Sequence, residues 1–332
     1  MIDNMNSKKI QWVDWMKVLG MLFIIWGHCF PETMSAFIYA FNVPVFFIIA
    51  GFLCKNSASF FPKLWSTLIV PYLLLAYIKG AGAIIKGFST GEWWQTAGGI
   101  LLGYHTIGEI QGCSNLWFVY TLILIKLIHF LVRGNLWWMI GFSAISITAA
   151  TLMNGVVDMP AWAVSDTLIA LPFFTIGYLL KTCCKQTINT LVTYIKSHKV
   201  LSAITTTVLL IGTWGLANIN GAARMFCGEY GESMTLFITG AIAGSTALFV
   251  LCAMIDDVKW KYLSLLAIGN LVTLTFHREL LHEPLKWINK SSMEVCLKDA
   301  SMLAISAVVL LLFIPIIWII KKYLPILIGK RK

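Results

Sequence analysis

Runs of apolar residues, separated by short polar stretches, follow one another from residue 11 almost to the end of the chain. An apolar helix of about 18 residues or more can cross a hydrocarbon layer of about 30 Å. The pattern predicts an all-α, polytopic integral membrane protein with about ten transmembrane helices. The predicted spans are residues 11–30, 35–53, 63–86, 116–132, 136–153, 161–180, 200–217, 234–255, 263–281 and 301–320.

The segment 92–104, EWWQTAGGILLGY, is too short and too rich in glycine to be counted as a further crossing. We place it at the membrane interface, with Trp93 and Trp94 at the level of the headgroups. A Gly-x-x-x-Gly pattern at Gly240 and Gly244 predicts close packing of helices. Because the sequence contains no linker-like tract, residues 1–332 are expected to form a single transmembrane domain without an attached soluble domain.

The composition narrows the class of protein further. Of the 332 residues, 58% are hydrophobic and 12% are charged, whereas a soluble domain carries about 25% charged residues. This argues against a soluble enzyme, a nucleic-acid-binding protein and a disulfide-rich secreted domain. The eight cysteines form no CxxC pair and no Cys/His spacing typical of metal sites, so no metal is predicted.

The placement of the positive charges predicts the orientation. The formal net charge is +10, and Lys and Arg in short loops favour the cytoplasmic side. With the N-terminus inside, cations in the inner loops outnumber those in the outer loops by more than three to one. An even number of spans also places the basic residues 330–332 inside. Both termini are therefore predicted to be cytoplasmic.

The first predicted span carries three ionisable residues, Asp14, Lys17 and His28. At 100° per residue the three lie within an arc of roughly 60° on one helix face, and Lys17 and His28 are about 16 Å apart along the axis. Ionisable groups inside a membrane usually face a bundle interior or a water-filled cavity and mark functional sites. The alternative is an Asp14–Lys17 pair at the helix start and an interfacial histidine bonded to a carbonyl.

The segment WVDWMKVLGMLFIIWGHC at residues 12–29 resembles the first helix of the membrane acyltransferase-3 family, whose signature is a basic residue, ten residues and then a histidine. Lys17 and His28 fit that spacing. Further segments similar to family motifs follow in order, together with Pro71 near the start of the third span: FNVPVFFIIAGFLCK at 41–55, NLWFVYTLI at 115–123, FFTIGYLLK at 173–181 and IGNLVTLTFHRELLH at 268–282.

The sequence departs from the family pattern at two places. The family's R-x-x-R pair before the third helix appears here as Lys63 and Ser66, so one basic residue is kept. Members related to sugar acetylases often have a histidine where Asn42 stands.

The resemblance implies transfer of an acyl group, usually acetyl, from cytoplasmic acetyl-CoA to a hydroxyl of an envelope carbohydrate, such as a lipid-linked glycan. It implies a multi-pass protein of a bacterial-type cytoplasmic membrane, whose partners are that carbohydrate and membrane lipids and not nucleic acid. His28 would be a general base or an acyl carrier. His277, which matches the family's late histidine, would be the second catalytic residue, facing the acceptor pocket and binding a sugar hydroxyl or helping to stabilise the oxyanion. The expected donor-binding residues are Lys17, Lys63 and Asp14, and the expected acceptor-binding residues are Glu32, Asn42, Asn115, Trp117 and Arg278.

Two other functions fit the sequence. A secondary transporter of a small anionic or sugar solute would line its path with polar residues such as Lys17, Lys79, Lys126, Arg278 and His28, although no paired, interrupted helices typical of internal duplication are found. A noncatalytic membrane partner in glycan assembly would keep the fold while having lost part of the arginine motif.

Overall fold

The computed structural model describes residues 10–55, 59–107, 110–154 and 162–330, and this part of the chain is almost entirely helical. Two short antiparallel hairpins, of strands β1 (Thr106–Ile107) with β2 (Ile110–Gln111) and β3 (Ala223–Arg224) with β4 (Glu229–Tyr230), lie in connecting loops. The α-helices are α1 (Gln11–Gly27), α2 (Ser35–Phe41), α3 (Pro44–Leu53), α4 (Phe60–Leu64), α5 (Val70–Thr90), α6 (Trp93–Leu102), α7 (Trp117–Leu131), α8 (Leu136–Met153), α9 (Ala163–Cys183), α10 (Lys185–Ser197), α11 (Lys199–Asn220), α12 (Met234–Met254), α13 (Leu263–Lys290) and α14 (Val295–Tyr323).

Among the described residues, eight helical stretches are long and apolar enough to cross a membrane. Helices α1 and α13 correspond to the first and ninth predicted spans but are not among the eight; α1 has 17 residues, and α13 has 28 with a charged C-terminal part. The chain is thus an all-α protein suited to many membrane crossings. Helix α1 lies inside the bundle, where it packs against α12, α13 and α14.

The second predicted span is divided into α2 and α3 at Asn42 and Val43. Pro44 is the first residue of α3, a position where the missing N–H of proline costs nothing because it would have no partner within the helix. The break occurs where the helix passes the C-terminal end of α1, and it leaves the Asn42 side chain buried beside Gly27.

Helices α3 and α9 cross with their backbones in direct contact. A Cβ atom added to Gly51 would lie 1.9 Å from the Phe174 carbonyl oxygen, and one added to Gly177 would lie 1.9 Å from the Ile48 carbonyl oxygen. Only glycine permits such an approach. Small residues at helix crossings allow membrane helices to pack closely. At the predicted Gly-x-x-x-Gly pattern, by contrast, Gly244 accommodates the ring of Phe41 rather than another backbone.

Three segments differ from the sequence prediction in extent. The connection at residues 181–199 contains the amphipathic helix α10, and Lys196 joins it to the end of α12 through ion pairs of 3.3 Å to Asp256 and 2.5 Å to Asp257. Helix α13 continues nine residues past its predicted end, which adds about 13 Å. Helix α14 starts at Val295 instead of residue 301, so the polar connection between them shortens to residues 291–294.

Candidate active site

His28 and His277 lie side by side near the predicted outer end of the bundle. Their ring centroids are 4.7 Å apart in an edge-to-face arrangement, because α1 packs directly against α13. The two residues were predicted separately from segments 249 residues apart in the sequence, and the fold brings them into one site. His277 is completely buried, whereas His28 is half-buried.

Each of the two histidines uses one ring nitrogen in a hydrogen bond to the backbone, and this bond shows which ring nitrogen remains available. His28 Nδ1 lies 2.8 Å from the Ile24 carbonyl oxygen, and His277 Nδ1 lies 3.0 Å from the Thr273 carbonyl oxygen. A carbonyl only accepts, so each Nδ1 carries a proton and each Nε2 of a neutral ring has a free lone pair. The Nε2 of His277 is buried with no hydrogen-bond partner among the described residues.

A cavity of about 250 Å³, here called the outer cavity, adjoins His28. It is bordered by the end of α1, the break between α2 and α3, the loop before β1, the start of α7, the β3–β4 hairpin and α13. Four of the five residues predicted to bind the acceptor line this cavity, all but Glu32. The lining residues are Ile24, His28, Phe30, Tyr39, Asn42, Val43, His105, Ser114, Asn115, Trp117, Ala223, Met225, Phe226 and Arg278.

The polar groups of the outer cavity are supported by contacts between elements. Arg278 Nη1 donates to the Asn115 side-chain oxygen over 3.4 Å, and the Asn115 amide nitrogen donates to the Leu274 carbonyl over 3.4 Å. The side-chain oxygen of Asn42 is buried and has no hydrogen-bond partner within the described chain. The cavity therefore offers an arginine donor and an unfilled amide acceptor to whatever enters it.

A second cavity of about 330 Å³, here called the inner cavity, lies toward the predicted cytoplasmic end. Lys17 and Lys126 supply its cationic groups, and Met21, Phe46 and Leu271 are among its many apolar lining residues. Lys126 was assigned to a site only under the transporter alternative, yet it lines the same cavity as Lys17.

The two cavities meet at Ile24, which lines both of them. Ile24 is also the residue whose carbonyl accepts the His28 hydrogen bond. Lys17 and His28 therefore border different cavities: Lys17 borders the inner one and His28 the outer one, and Ile24 lines both.

The other predicted site residues lie outside the two cavities. Asp14 accepts a hydrogen bond from Ser264 Oγ over 3.1 Å. Lys63 is exposed on α4, although Thr67 on the following π-helical turn, Trp65–Ile69, lines the inner cavity. Glu32 is exposed, and its backbone N–H donates to Asp299 over 2.9 Å. These three side chains do not contribute to the lining of either cavity as the structure stands.

Lys79 on α5 was not predicted as an acyltransferase site residue, but it lies close to His277. Its side chain is only 9% exposed, and its Nζ donates to the Thr275 carbonyl over 2.8 Å and pairs with Glu279 over 3.5 Å. The sequence signal that could have identified Lys79 as a site residue is its position as a lysine inside an apolar run. Its partners could not be identified because they lie about 200 residues further along the chain.

His105 and Asp166 were also missed, because the sequence places both in outer loops or at span edges. In the structure both are buried, and His105 Nε2 lies 2.8 Å from Asp166 Oδ2. His105 lines the outer cavity together with His28.

The side chains at the two cavities can support acyl chemistry. Within the described residues, no group of three or more His, Cys, Asp or Glu side chains is arranged to hold a metal ion. Instead, the outer cavity holds imidazoles with free ring nitrogens, which can act as bases or nucleophiles. The inner cavity combines two lysines with an apolar wall, as binding of a molecule with an anionic end and an uncharged arm requires.

Comparison with known proteins agrees with this chemistry. The family model described as an acyltransferase domain matches residues 10–329, nearly the whole chain, which confirms the family resemblance indicated by the motifs. No curated protein and no solved structure matches the chain significantly.

Proposed function

Because the chain belongs to the membrane acyltransferase-3 family, we propose that it transfers an acetyl group from cytosolic acetyl-CoA to a hydroxyl of an envelope carbohydrate. Family membership establishes a membrane acyltransferase in general. The donor, the acetyl group and the carbohydrate are proposals, argued from the two cavities. The observation that carries them is the position of His28. It borders the outer cavity and contacts Ile24, the residue that lines both cavities.

The inner cavity supports a coenzyme A thioester as the donor. Such a thioester has phosphates at one end and the acyl carbon at the end of a flexible arm. Lys17 and Lys126 supply positive charge for phosphate. The apolar wall that continues to Ile24 suits the arm and leads the acyl carbon toward His28. Lys17 and Ile24 are seven residues apart on α1, which is about 10 Å along the helix axis.

The outer cavity supports a polyhydroxy compound as the acceptor. Asn42 presents a buried oxygen without a partner, and buried acceptors in native proteins normally receive a hydrogen bond. Sugar hydroxyls are donors that can satisfy it, while Arg278 can donate to their oxygens. Trp117 adds an aromatic surface against which a sugar ring can pack.

His28 Nε2 supplies the chemistry in either of two ways. As a general base it takes the hydroxyl proton while the hydroxyl oxygen bonds to the acyl carbon and the thiolate leaves. As an acyl carrier it bonds to the acyl carbon first, releases the thiolate, and passes the acyl group to the hydroxyl in a second step. In both routes the proton that the hydroxyl gives up, to His28 in the first and to water in the second, balances the proton that the thiolate takes up, so the products are the ester and free coenzyme A.

Replacement of His28 by alanine tests this function. We expect the His28→Ala protein to insert into the membrane at the wild-type level and to lose transfer from labelled acetyl-CoA, measured with purified protein and by the acetyl content of surface glycans. His198→Ala, at an exposed histidine between α10 and α11, is the matched control. Near-normal transfer by His28→Ala at equal expression would rule out the mechanism.

A further inference from the structure

His105 and Asp166 form a buried pair on the wall of the outer cavity. His105 is 5% exposed and follows α6, while Asp166 is 2% exposed in the first turn of α9. The Nε2–Oδ2 distance is 2.8 Å. Neither residue belongs to the motifs that resemble the family, and the function proposed above does not use them.

The pair fixes the protonation pattern of the His105 ring. A carboxylate can only accept, so the Nε2 beside Asp166 carries a proton, and Nδ1 of the neutral ring keeps its lone pair. That Nδ1 is buried and has no hydrogen-bond partner among the residues that the structure describes. A carboxylate on one nitrogen and an unfilled acceptor on the other is the arrangement of an imidazole general base whose proton donor has not yet bound.

The surroundings of His105 indicate the proton donor. Its ring centroid lies 5.4 Å from that of Trp117 and 6.2 Å from that of Phe226. These residues and His28 all line the outer cavity. A hydroxyl compound packed against Trp117 would therefore bring a hydroxyl proton to His105 in the same small cavity in which His28 meets the acyl group.

We propose that His105, oriented by Asp166, is the general base for the acceptor hydroxyl and that His28 is the acyl carrier. This inference rests on the proposed acyltransferase function. Two imidazoles, each with a free nitrogen but only one backed by a carboxylate, match a reaction that needs a nucleophile in one step and a base in the next.

The two steps balance as follows. His28 Nε2 bonds to the acyl carbon, the carbon–sulfur bond breaks, and the thiolate keeps the electron pair and takes a proton from water. The acceptor oxygen then bonds to the acyl carbon while its proton moves to His105 Nδ1, and the carbon–nitrogen bond breaks with its electron pair returning to His28. Asp166 stabilises the His105 cation until that proton returns to water.

The test compares two nucleophiles that differ in their need for a base. Purified protein is given labelled acetyl-CoA with either methyl β-glucoside, whose hydroxyl must lose a proton, or hydroxylamine, whose nitrogen attacks without prior deprotonation. Rates are corrected for the protein-free reaction. In His105→Gln the new amide occupies the position of Nε2 and can keep the contact with Asp166, while Nδ1 is lost.

We expect His105→Gln to lower transfer to methyl β-glucoside by about 10²- to 10⁴-fold, the usual contribution of a general base, while transfer to hydroxylamine stays within about threefold of wild type. Asp166→Asn should show the same split. His28→Ala should lose transfer to both nucleophiles, and the exposed-site control His198→Gln to neither.

Equal losses with both nucleophiles in His105→Gln would show a structural role and overturn the assignment, as would unchanged transfer to the glucoside. Wild-type protein that acylates hydroxylamine but not the glucoside would also overturn it. Wild-type protein that acylates neither would instead contradict the proposed acyltransferase function itself.

Discussion

At the scale of single residues, the site depends on which atoms lack partners. The backbone carbonyls of Ile24 and Thr273 accept hydrogen bonds from Nδ1 of His28 and His277. The lone pair on Nε2 of each neutral ring therefore remains available. His277 is fully buried against His28. His277 does not line the outer cavity, so the expectation that it faces the acceptor pocket was wrong. We propose instead a positioning role, in which it fixes the orientation of the His28 ring.

Lys17 gives a prediction at this scale. Lys17→Ala should raise the KM for acetyl-CoA by about tenfold or more, because a charge-assisted contact with phosphate contributes about 1.5–3 kcal/mol, and it should leave the KM for the acceptor unchanged. Steady-state kinetics with each substrate varied in turn provide the measurement. Lys86→Ala, an exposed lysine on α5, is the control. A selective rise in the acceptor KM would contradict the assignment of Lys17 to the donor.

At the scale of elements, the crossing of α3 and α9 is the tightest contact in the bundle that glycine makes possible. Both glycines lie in segments that also carry the family motifs, FFIIAGF and FFTIGY. Helix α3 lines the inner cavity through Phe46, Ile49, Ala50 and Leu53. The crossing therefore holds one wall of the proposed donor site at a fixed distance from α9.

Gly177→Ala should destabilise the protein by about 1–3 kcal/mol, because the added methyl meets backbone atoms that cannot rotate away and the helices must separate. Thermal melting of the detergent-solubilised protein, followed by size-exclusion chromatography, measures the change in Tm. Gly141→Ala on α8 is the matched control, since its Cβ would meet nothing within 4 Å. Equal Tm values for the two variants would refute the close crossing.

At the scale of the whole molecule, the predicted orientation places Cys183 and Cys296 on opposite sides of the membrane. Both thiols are exposed, one at the end of α9 and the other at the start of α14. In single-cysteine variants, a membrane-impermeant maleimide added to intact cells should label Cys296 at once and Cys183 only after permeabilisation. Labelling of Cys183 from outside would invert the predicted topology.

Cys227 provides an internal comparison in the same experiment. It lies in the loop between α11 and α12, where burial raises the pKa of its thiol to about 11. The thiolate is the reactive form, so at neutral pH Cys227 should react much more slowly than Cys296 although both are predicted to face outside, and its rate should increase as the pH rises.

Much of this architecture follows from the sequence, and the reasons are physical. A helix that crosses a hydrocarbon layer of fixed thickness must be long and apolar, so the approximate positions of such helices can be predicted from the sequence. The stripe of ionisable groups on α1 likewise singled out Lys17 and His28 as candidate site residues, each of which lines a cavity. The His105–Asp166 pair was not predictable, because its members are 61 residues apart and each has an ordinary loop-like context. Helix α10 was not predicted because its apolar residues lie on one face of the helix and do not form a continuous apolar run.

The sharing of Ile24 by the two cavities has a consequence for the proposed reaction. A protein that hands a group from a cytosolic cofactor to an external sugar must not become a leak for protons or metal cations, since the electrical potential across the bilayer acts on every charge that finds a wet route. If the proposed function holds, an aliphatic residue at the meeting point would keep that route dry, so that the uncharged acyl group could pass while ions could not.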